Sequence, residues 1–334
     1  MNEQGVRTVD NLVIGAGMSG LCAASALKAA GHRVLVVDKG RGIGGRMATR
    51  RMEGATLDHG AQFVTARTER FERWLREAGE AGAAFEWCRG FSTAGDGHPR
   101  WRGAPGMSGL ARHMGAGLPL ELGRQVAALE RAGLGWSVRW KEGGAVEARS
   151  VILTAPVPQS LALLGAGNVV LEASIRQRLE AIRYERCFAV LVVLDGPSHV
   201  PEPGGFVPET GPLSWIADNQ KKGVSALPAV TLHARDAYSV ENWDRDRDAV
   251  AKELIAAAMP WLGAGVLSYE IHGWRYCRPQ ETDFGPCVVL ERTPPLILAG
   301  DAFGGARVEG AALSGWAAAE ALAECLGDPK SSQT

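Results

Sequence analysis

The chain has 334 residues, 46% hydrophobic and 22% charged, with a net charge of −1. That content of apolar residues excludes a disordered chain. The balance of 36 Lys and Arg against 37 Asp and Glu excludes nucleic-acid recognition through a basic surface. At about 150 residues per domain the length predicts two domains or one large one. Glycine is abundant, with 43 residues, which implies many sharp turns or close backbone approaches to a ligand.

Met1 to Asp10 is polar and lacks the apolar core of a secretory signal. The most apolar stretch, Ala311 to Leu326, is interrupted by Ser314, Glu320 and Glu324, so no membrane span is expected. The six cysteines are scattered without a C-x-x-C pair, the usage of free thiols in a reducing compartment. A soluble cytoplasmic protein with no nucleic-acid or membrane partner is the expectation.

In chain order, Val9 to Ile14 is a short apolar strand running straight into Gly15-Ala16-Gly17-Met18-Ser19-Gly20. Leu21 to Ala30 has helical composition and stops at Gly31. Val34 to Val37 is a second buried strand, ending at Asp38. Phe71, Trp74, Leu75 and Ala78 repeat at helical spacing within Thr68 to Ala78, as do Met107, Leu110, Ala111 and Met114. Val151 to Leu153 and Leu296 to Ala299 have the character of parallel strands buried on both faces. Cys187 to Leu194 and Val230 to Ala234 are longer strands, with a turn-rich stretch from Pro201 to Pro212 between them. A helix from about Arg245 to Met259 is expected to stop at Pro260. The pattern predicts a discontinuous nucleotide-binding domain (1–66, 103–160 and 290–334) and an inserted strand-rich domain (67–102 and 161–289).

Gly15-x-Gly17-x-x-Gly20 lies between a strand and a helix. There Gly15 permits the tight turn, Gly17 lets backbone approach a pyrophosphate, and Gly20 permits close packing of helix on strand. Ser19 lies within the same turn, and the helix N-terminus offers its amides to the phosphate charge. Asp38, 18 residues after Gly20, is placed to hold ribose hydroxyls and to repel a 2′-phosphate. The run from Lys39 through Arg41 to Gly45 and Arg46 is basic and glycine-rich. Such a loop can lie along an extended dinucleotide while a guanidinium grips phosphate. The alternative is a solvated basic loop, to which Arg46, Arg50 and Arg51 can in part belong.

Gly44-Gly45-Arg46-x-x-Thr49 after the acid-ended strand resembles the second signature of the flavin amine oxidase superfamily, which binds FAD. The longer run Asp38 to Arg51 is similar to the bacterial renalase-like branch of that superfamily. So are Leu57 to Phe63, Trp274-Arg275-Tyr276, and Gly300 to Gly315. The resemblance implies an α/β architecture: a Rossmann-type FAD-binding domain of the amine oxidase and glutathione reductase kind, with an inserted α+β substrate domain. It implies noncovalent FAD, since the Ser-Gly-Gly-Cys attachment stretch of some relatives does not occur. It also implies cofactor contacts from Met47, Gln62 and Phe63, an adenine contact from the Val126 backbone, and a strand-end turn at Ala155. Asp301 is implied at the ribityl–phosphate region, and Gly310 and Ala311 at a helix N-terminus facing the flavin. A positive helix end there would stabilise reduced, anionic flavin.

Trp274 and Tyr276 are open between core packing and lining a substrate pocket; alternation along a strand puts them on one face. His59 is expected to be structural. The seven histidines contain no H-x-H, H-x-x-x-H or H-E-x-x-H, so no metal site is expected. Renalase-like enzymes oxidise 2- and 6-dihydro isomers of NAD(P)H, pass the electrons to dioxygen and release hydrogen peroxide. That resemblance implies a small-molecule electron donor and dioxygen as partners. Oxidation of a small amine is the alternative, with Trp274 and Tyr276 as an aromatic cage.

Overall fold

A computed structural model describes residues 7–91, 95–280 and 285–327; the polar residues 1–6 lie outside them. The chain opens with β1 (Arg7–Ile14), α1 (Met18–Ala29) and β2 (Val34–Asp38). Next come β3 (Thr49–Met52), β4 (Ala55–Asp58), α2 (Glu69–Glu80), β5 (Ala84–Cys88), β6 (Arg100–Gly103) and α3 (Ser108–Met114). The middle continues with β7 (Leu120–Leu122), β8 (Val126–Ala132), β9 (Gly135–Trp140), β10 (Ala145–Leu153), α4 (Val157–Ala166) and α5 (Ala173–Ala181). Then follow β11 (Tyr184–Leu194), β12 (Gly205–Phe206), β13 (Leu213–Asp218), β14 (Ala229–Ala234), α6 (Asp236–Glu241), α7 (Arg247–Leu262) and β15 (Val266–Pro279). The chain closes with β16 (Val288–Arg292), β17 (Pro295–Leu298), α8 (Asp301–Gly304) and α9 (Val308–Cys325).

These elements form two compact units. The first comprises Met1–Gly45, Met114–Arg183 and Pro279–Thr334. Its sheet runs β16-β17-β10-β1-β2-β7, with the β8–β9 hairpin joined through β9 to β10. β17, β10, β1, β2 and β7 pair in parallel, whereas β16 and β9 pair antiparallel. Adjacent residues such as Leu12 and Val13, Val36 and Val37, or Ile152 and Leu153 are all fully buried. Both faces of the sheet are therefore covered, which is why its strands are unbroken apolar runs. α1 packs on α9 at very close range, because a Cβ on Gly315 would stand 2.1 Å from the Ser19 carbonyl oxygen.

The second unit comprises Arg46–His113 and Tyr184–Arg278. Its sheet is ordered β12-β13-β14-β11-β15, accompanied by the hairpins β3–β4 and β5–β6. β11 is buried on both sides. Phe188, Val190, Val192 and Leu194 share a core with Val250, Leu254, Ala258 and Leu262 of α7. The alternate residues Leu191 and Val193 pack with Met52, Ala55 and Leu57 of the β3–β4 hairpin.

These packing relations explain where the units divide. Residues 46–66 and 103–113, expected with the nucleotide fold, cluster with the second unit, because β3 and β4 bury their apolar side chains on the strand-rich sheet. Residues 161–183 and 279–289, expected in the insert, cluster with the first. There α4 ends hard against β8, a Cβ on Gly167 meeting the Leu129 carbonyl oxygen at 1.8 Å, and β16 pairs with β17.

One expected boundary is corrected. α7 does not stop at Pro260 but carries it inside the final turn and ends at Gly263, with φ of +70°. Proline removes one amide donor, yet the turn holds because Leu262 beyond it is fully buried in the core. Asp246 fixes the other end, accepting from the Ala249 amide at 2.9 Å. The glycine-rich turn after β17 also contains a short helix, α8, before α9 starts at the expected Val308.

Candidate functional site

In the first unit the turn between β1 and α1 is determined by its glycines. Gly15 has φ of +118°, and a Cβ there would lie 2.3 Å from Thr154 Oγ1. A Cβ on Gly20 would lie 1.9 Å from the Gly15 carbonyl oxygen. Gly17 differs, because a Cβ there would meet nothing within 4 Å. Gly17 is also the N-cap of α1, whose first turn has no side-chain cap bond and no acidic residue. The amides of that turn and the open space above Gly17 make an anion cradle. Ser19 adds a hydroxyl oxygen that is buried and has no hydrogen-bond partner.

Asp38 does more than end β2. Its Oδ2 accepts from the Ala16 amide at 2.7 Å and its Oδ1 from the Gly40 amide at 2.6 Å. The carboxylate thus ties the fingerprint turn to the basic loop, and each oxygen keeps a second acceptor site. The Gly44 amide donates to the Ala16 carbonyl at 2.8 Å, and a Cβ on Gly45 would come 3.5 Å from Gly17 Cα. Lys39 reaches Gln159 at 3.4 Å, while Arg41 is exposed. Val126 begins β8, half-buried, and the Ala155 carbonyl accepts from Ser160 at 3.1 Å. Asp301 is buried at the start of α8. Gly310 has a packing role of its own, since its Cβ would stand 2.1 Å from the Gly305 carbonyl oxygen; Ala311 follows it in α9.

The other expected cofactor residues belong to the second unit. Met47 is buried. Arg46 donates from Nη1 to the carbonyls of Tyr276 at 3.3 Å and Cys277 at 3.1 Å. Gln62 is buried, donating to the carbonyls of Asp58 at 2.7 Å and Gly60 at 3.1 Å.

Gln62 also leads to a polar centre that no local sequence pattern signals. Asp58 and Lys222, 164 residues apart, are fully buried and paired at 2.8 Å. Lys222 also donates to Gln62 Oε1 at 3.4 Å. Asp58 further accepts from the Thr49 hydroxyl at 2.6 Å and the Met107 amide at 2.8 Å. Burial lowers the Lys222 ammonium pKa, while the Asp58 charge works to raise it. Beside this centre, Phe63, Trp87, Phe91 and Trp215 form one aromatic cluster with ring centroids 4.8 to 6.5 Å apart. Two of its rings face cations: Lys222 Nζ is 5.3 Å from Trp87, and the Arg100 guanidinium is 5.7 Å from Phe91. Trp215 Nε1 is buried without an acceptor.

Trp274 and Tyr276 share a face of β15 but meet different neighbours. Trp274 donates to the His59 carbonyl at 2.9 Å and packs on the rings of His59 and His272 at 5.1 and 4.2 Å. Tyr276 packs on Tyr184 at 5.5 Å. The His59 carbonyl also accepts from His233 Nε2 at 3.3 Å. Burial lowers the His59 pKa to about 3, helped by the nearby charges of His272 and Arg50, and lowers His233 to about 4. Both are neutral at pH 7. From pH 6.5 downward the unfolded chain takes up protons that the folded chain refuses, so acidification destabilises the fold. Each histidine contributes a slope of up to about 1.4 kcal/mol per pH unit until the folded group itself titrates. Urea midpoints should be level above pH 6.5 and fall toward pH 5. A His233→Gln variant should show a shallower fall, and an identical profile would remove His233 from the effect.

Comparison with known proteins agrees with this architecture. Residues 13–78 match the NAD(P)-binding Rossmann-like domain family, and residues 80–323 match the family described as flavin containing amine oxidoreductase. Mouse (Mus musculus) renalase is 25% identical over 317 residues, covering 87% of this chain and 92% of renalase. Two further matches are short. AofH of Mycobacterium tuberculosis is 46% identical over 57 residues, 17% of this chain and only 13% of that protein. A 4,4′-diapophytoene desaturase of Staphylococcus haemolyticus is 44% identical over 52 residues, 16% of this chain and 10% of the desaturase. Wild-type putrescine oxidase bound to putrescine superposes with a TM-score of 0.74 at 17% identity, covering 96% of this chain and 100% of that one. At that identity the likeness concerns the fold. Among the described residues, no helix is long and apolar enough to cross a membrane. With the matched family spanning most of its length, the chain belongs to the flavin-containing amine oxidoreductases and is a flavin-dependent oxidoreductase.

Proposed function

We propose that the protein is an FAD-dependent oxidase of the renalase type, oxidising 2- and 6-dihydro isomers of NAD(P)H to NAD(P)+ with dioxygen as the acceptor. The cradle of the first unit fits the dinucleotide on its own chemistry. Gly17 leaves room for a pyrophosphate, and the Ser19 hydroxyl is a buried polar group in need of a partner. Asp38 keeps acceptor sites for ribose hydroxyls. With those contacts holding the cofactor, FAD needs no covalent attachment. Bound flavin supplies hydride acceptance and electron transfer to dioxygen.

The observation that carries the choice of donor is the state of the aromatic cluster. A cage for a protonated amine needs free, electron-rich ring faces. Here Trp87 and Phe91 already face Lys222 and Arg100. With those faces already taken, no open cage is left for a protonated amine, whereas a flat, uncharged dihydronicotinamide needs none. The unpartnered Trp215 N–H is a donor that a carboxamide oxygen would satisfy. The neutral state of His59 and His233 is also in keeping with this donor, which gives up hydride and becomes aromatic without losing a proton to the protein. The renalase match over most of both chains supports the same reading.

Anaerobic mixing of the yellow protein with 6-dihydro-NAD, ordinary NADH and putrescine, in separate experiments, tests the donor. Flavin absorbance should bleach at least tenfold faster with the isomer, and NAD+ should form in step. Bleaching by putrescine alone would replace this reading with amine oxidation.

A further inference from the structure

Arg51 has no part in the flavin chemistry, yet it stands at a polar pocket inside the second unit. In the β3–β4 hairpin Thr49 pairs with Asp58 and Arg51 with Thr56, and alternation puts these four side chains on one face. On the other face Met52, Ala55 and Leu57 pack against Leu191 and Val193 of β11. The polar face meets the start of α3 instead, where the Ser108 amide donates to the Thr49 hydroxyl at 3.1 Å. One turn on, Arg112 donates to the Ser108 hydroxyl at 2.9 Å. Thr49, Arg51, Thr56, Pro105, Ser108 and Arg112 together line a pocket of about 60 Å³.

We propose that this pocket binds one phosphate group, either as inorganic phosphate or as the terminal group of a small phosphate monoester. Its lining holds two cations and no carboxylate. Among the described residues neither Arg51 nor Arg112 has an acidic partner. Asp58, behind Thr49, is already paired with Lys222 at 2.8 Å. Two guanidiniums left without acids beside one small cavity repel each other until an anion enters.

Size and donor chemistry select the anion. A water takes up roughly 10–15 Å³ of such space, so the pocket has room for about four oxygens, the number in one tetrahedral oxyanion. Two forked guanidiniums match a dianion with several acceptor oxygens. A simple carboxylate brings one charge and two oxygens, too few for both forks. The hydroxyls divide their roles. Thr49 spends its proton on Asp58 at 2.6 Å. Ser108 accepts from Arg112, which leaves its own proton to be donated into the pocket. Bound phosphate would join β3 to α3 at the point where Thr49 holds Asp58. The pocket stands independently of which donor reduces the flavin.

The experiment is titration calorimetry of the flavin-loaded protein, whose dinucleotide cradle is then filled, with inorganic phosphate and with glycerol 3-phosphate at constant ionic strength. Saturable binding is expected. Arg51→Gln and Arg112→Gln should each weaken it at least tenfold. Arg50→Gln, on the opposite face of β3, should leave it unchanged. Both pocket arginines are exposed, so the variants should fold. Without phosphate their thermal midpoints should equal or exceed that of the wild type, because one of two like charges is gone. In saturating phosphate the order should reverse, since the wild type alone gains the full stabilisation by ligand. Equal affinity for both probes would assign the pocket to a phosphorylated small molecule, and binding of phosphate alone to the free ion. No saturable binding of either probe would overturn the proposal, as would an equal loss in Arg50→Gln or midpoints lowered alike with and without phosphate.

Discussion

A Gly17→Ala protein should fold normally and purify without its flavin, whereas Gly20→Ala should fail to fold. Both glycines belong to one turn, and both substitutions add a single methyl group. The difference lies in what that methyl meets. At Gly20 it would stand 1.9 Å from the Gly15 carbonyl oxygen and 3.0 Å from Thr154 Oγ1. The first of these is backbone, so α1 would have to leave the turn, at about 3 kcal/mol or more. At Gly17 the methyl meets no protein atom within 4 Å, and φ there is −78°. The cost to the fold is limited to a poorer N-cap, about 1 kcal/mol or less. What the methyl does occupy is the space in which a pyrophosphate approaches the helix amides. Flavin content after gel filtration should drop at least tenfold while the thermal midpoint shifts by only a few degrees. Stoichiometric flavin in Gly17→Ala would place the phosphate elsewhere.

The contrast between those glycines also shows how far the sequence could be read. The fingerprint, the acid-ended strand and the parallel runs are local patterns, each set by a turn geometry or by burial on two faces. They stand in the fold where their spacing puts them, at Gly15 to Gly20, Asp38, Val151 to Leu153 and Leu296 to Leu298. The second unit was far less legible. β13 follows a run of turn residues, and Lys222 sits in Gln220-Lys221-Lys222, which looks like a solvated turn. Nothing near it in sequence announces a partner at Asp58, because the pairing depends on strands brought together across 164 residues. The aromatic cluster was hidden for the same reason: Phe63, Trp87, Phe91 and Trp215 come from separate segments. Arg46 was recognisable as chemically important from its glycine-rich setting. Its clasp on the carbonyls of Tyr276 and Cys277, however, depends on tertiary structure alone.

Lys222→Met should be the most destabilising conservative change in the second unit. The methionine stem retains much of the packing but removes the ammonium. Asp58 then stays wholly inside the protein without its ion-pair partner, hydrogen-bonded by the Thr49 hydroxyl and the Met107 amide and with Arg102 as a neighbouring positive charge. Breaking a buried pair from one side typically costs about 3–5 kcal/mol, because the remaining charge is stranded in a medium of low polarity. Gln62 loses a donor as well, freeing the side chain that spans the Asp58 and Gly60 carbonyls. Removing both charges tells the pair apart from its parts. The double variant Asp58→Asn with Lys222→Met should be destabilised by less than the sum of the two single changes, since neither leaves the other's charge exposed to the interior. Urea unfolding followed by tryptophan emission is a suitable readout, because the Trp87 ring lies against Lys222. A strictly additive cycle would mean that the two groups are stabilised separately and that the 2.8 Å contact contributes no coupling. A coupling of several kcal/mol would show that the ion pair welds the β3–β4 hairpin to the turn after β13, holding Gln62 and the aromatic cluster beside it in one arrangement.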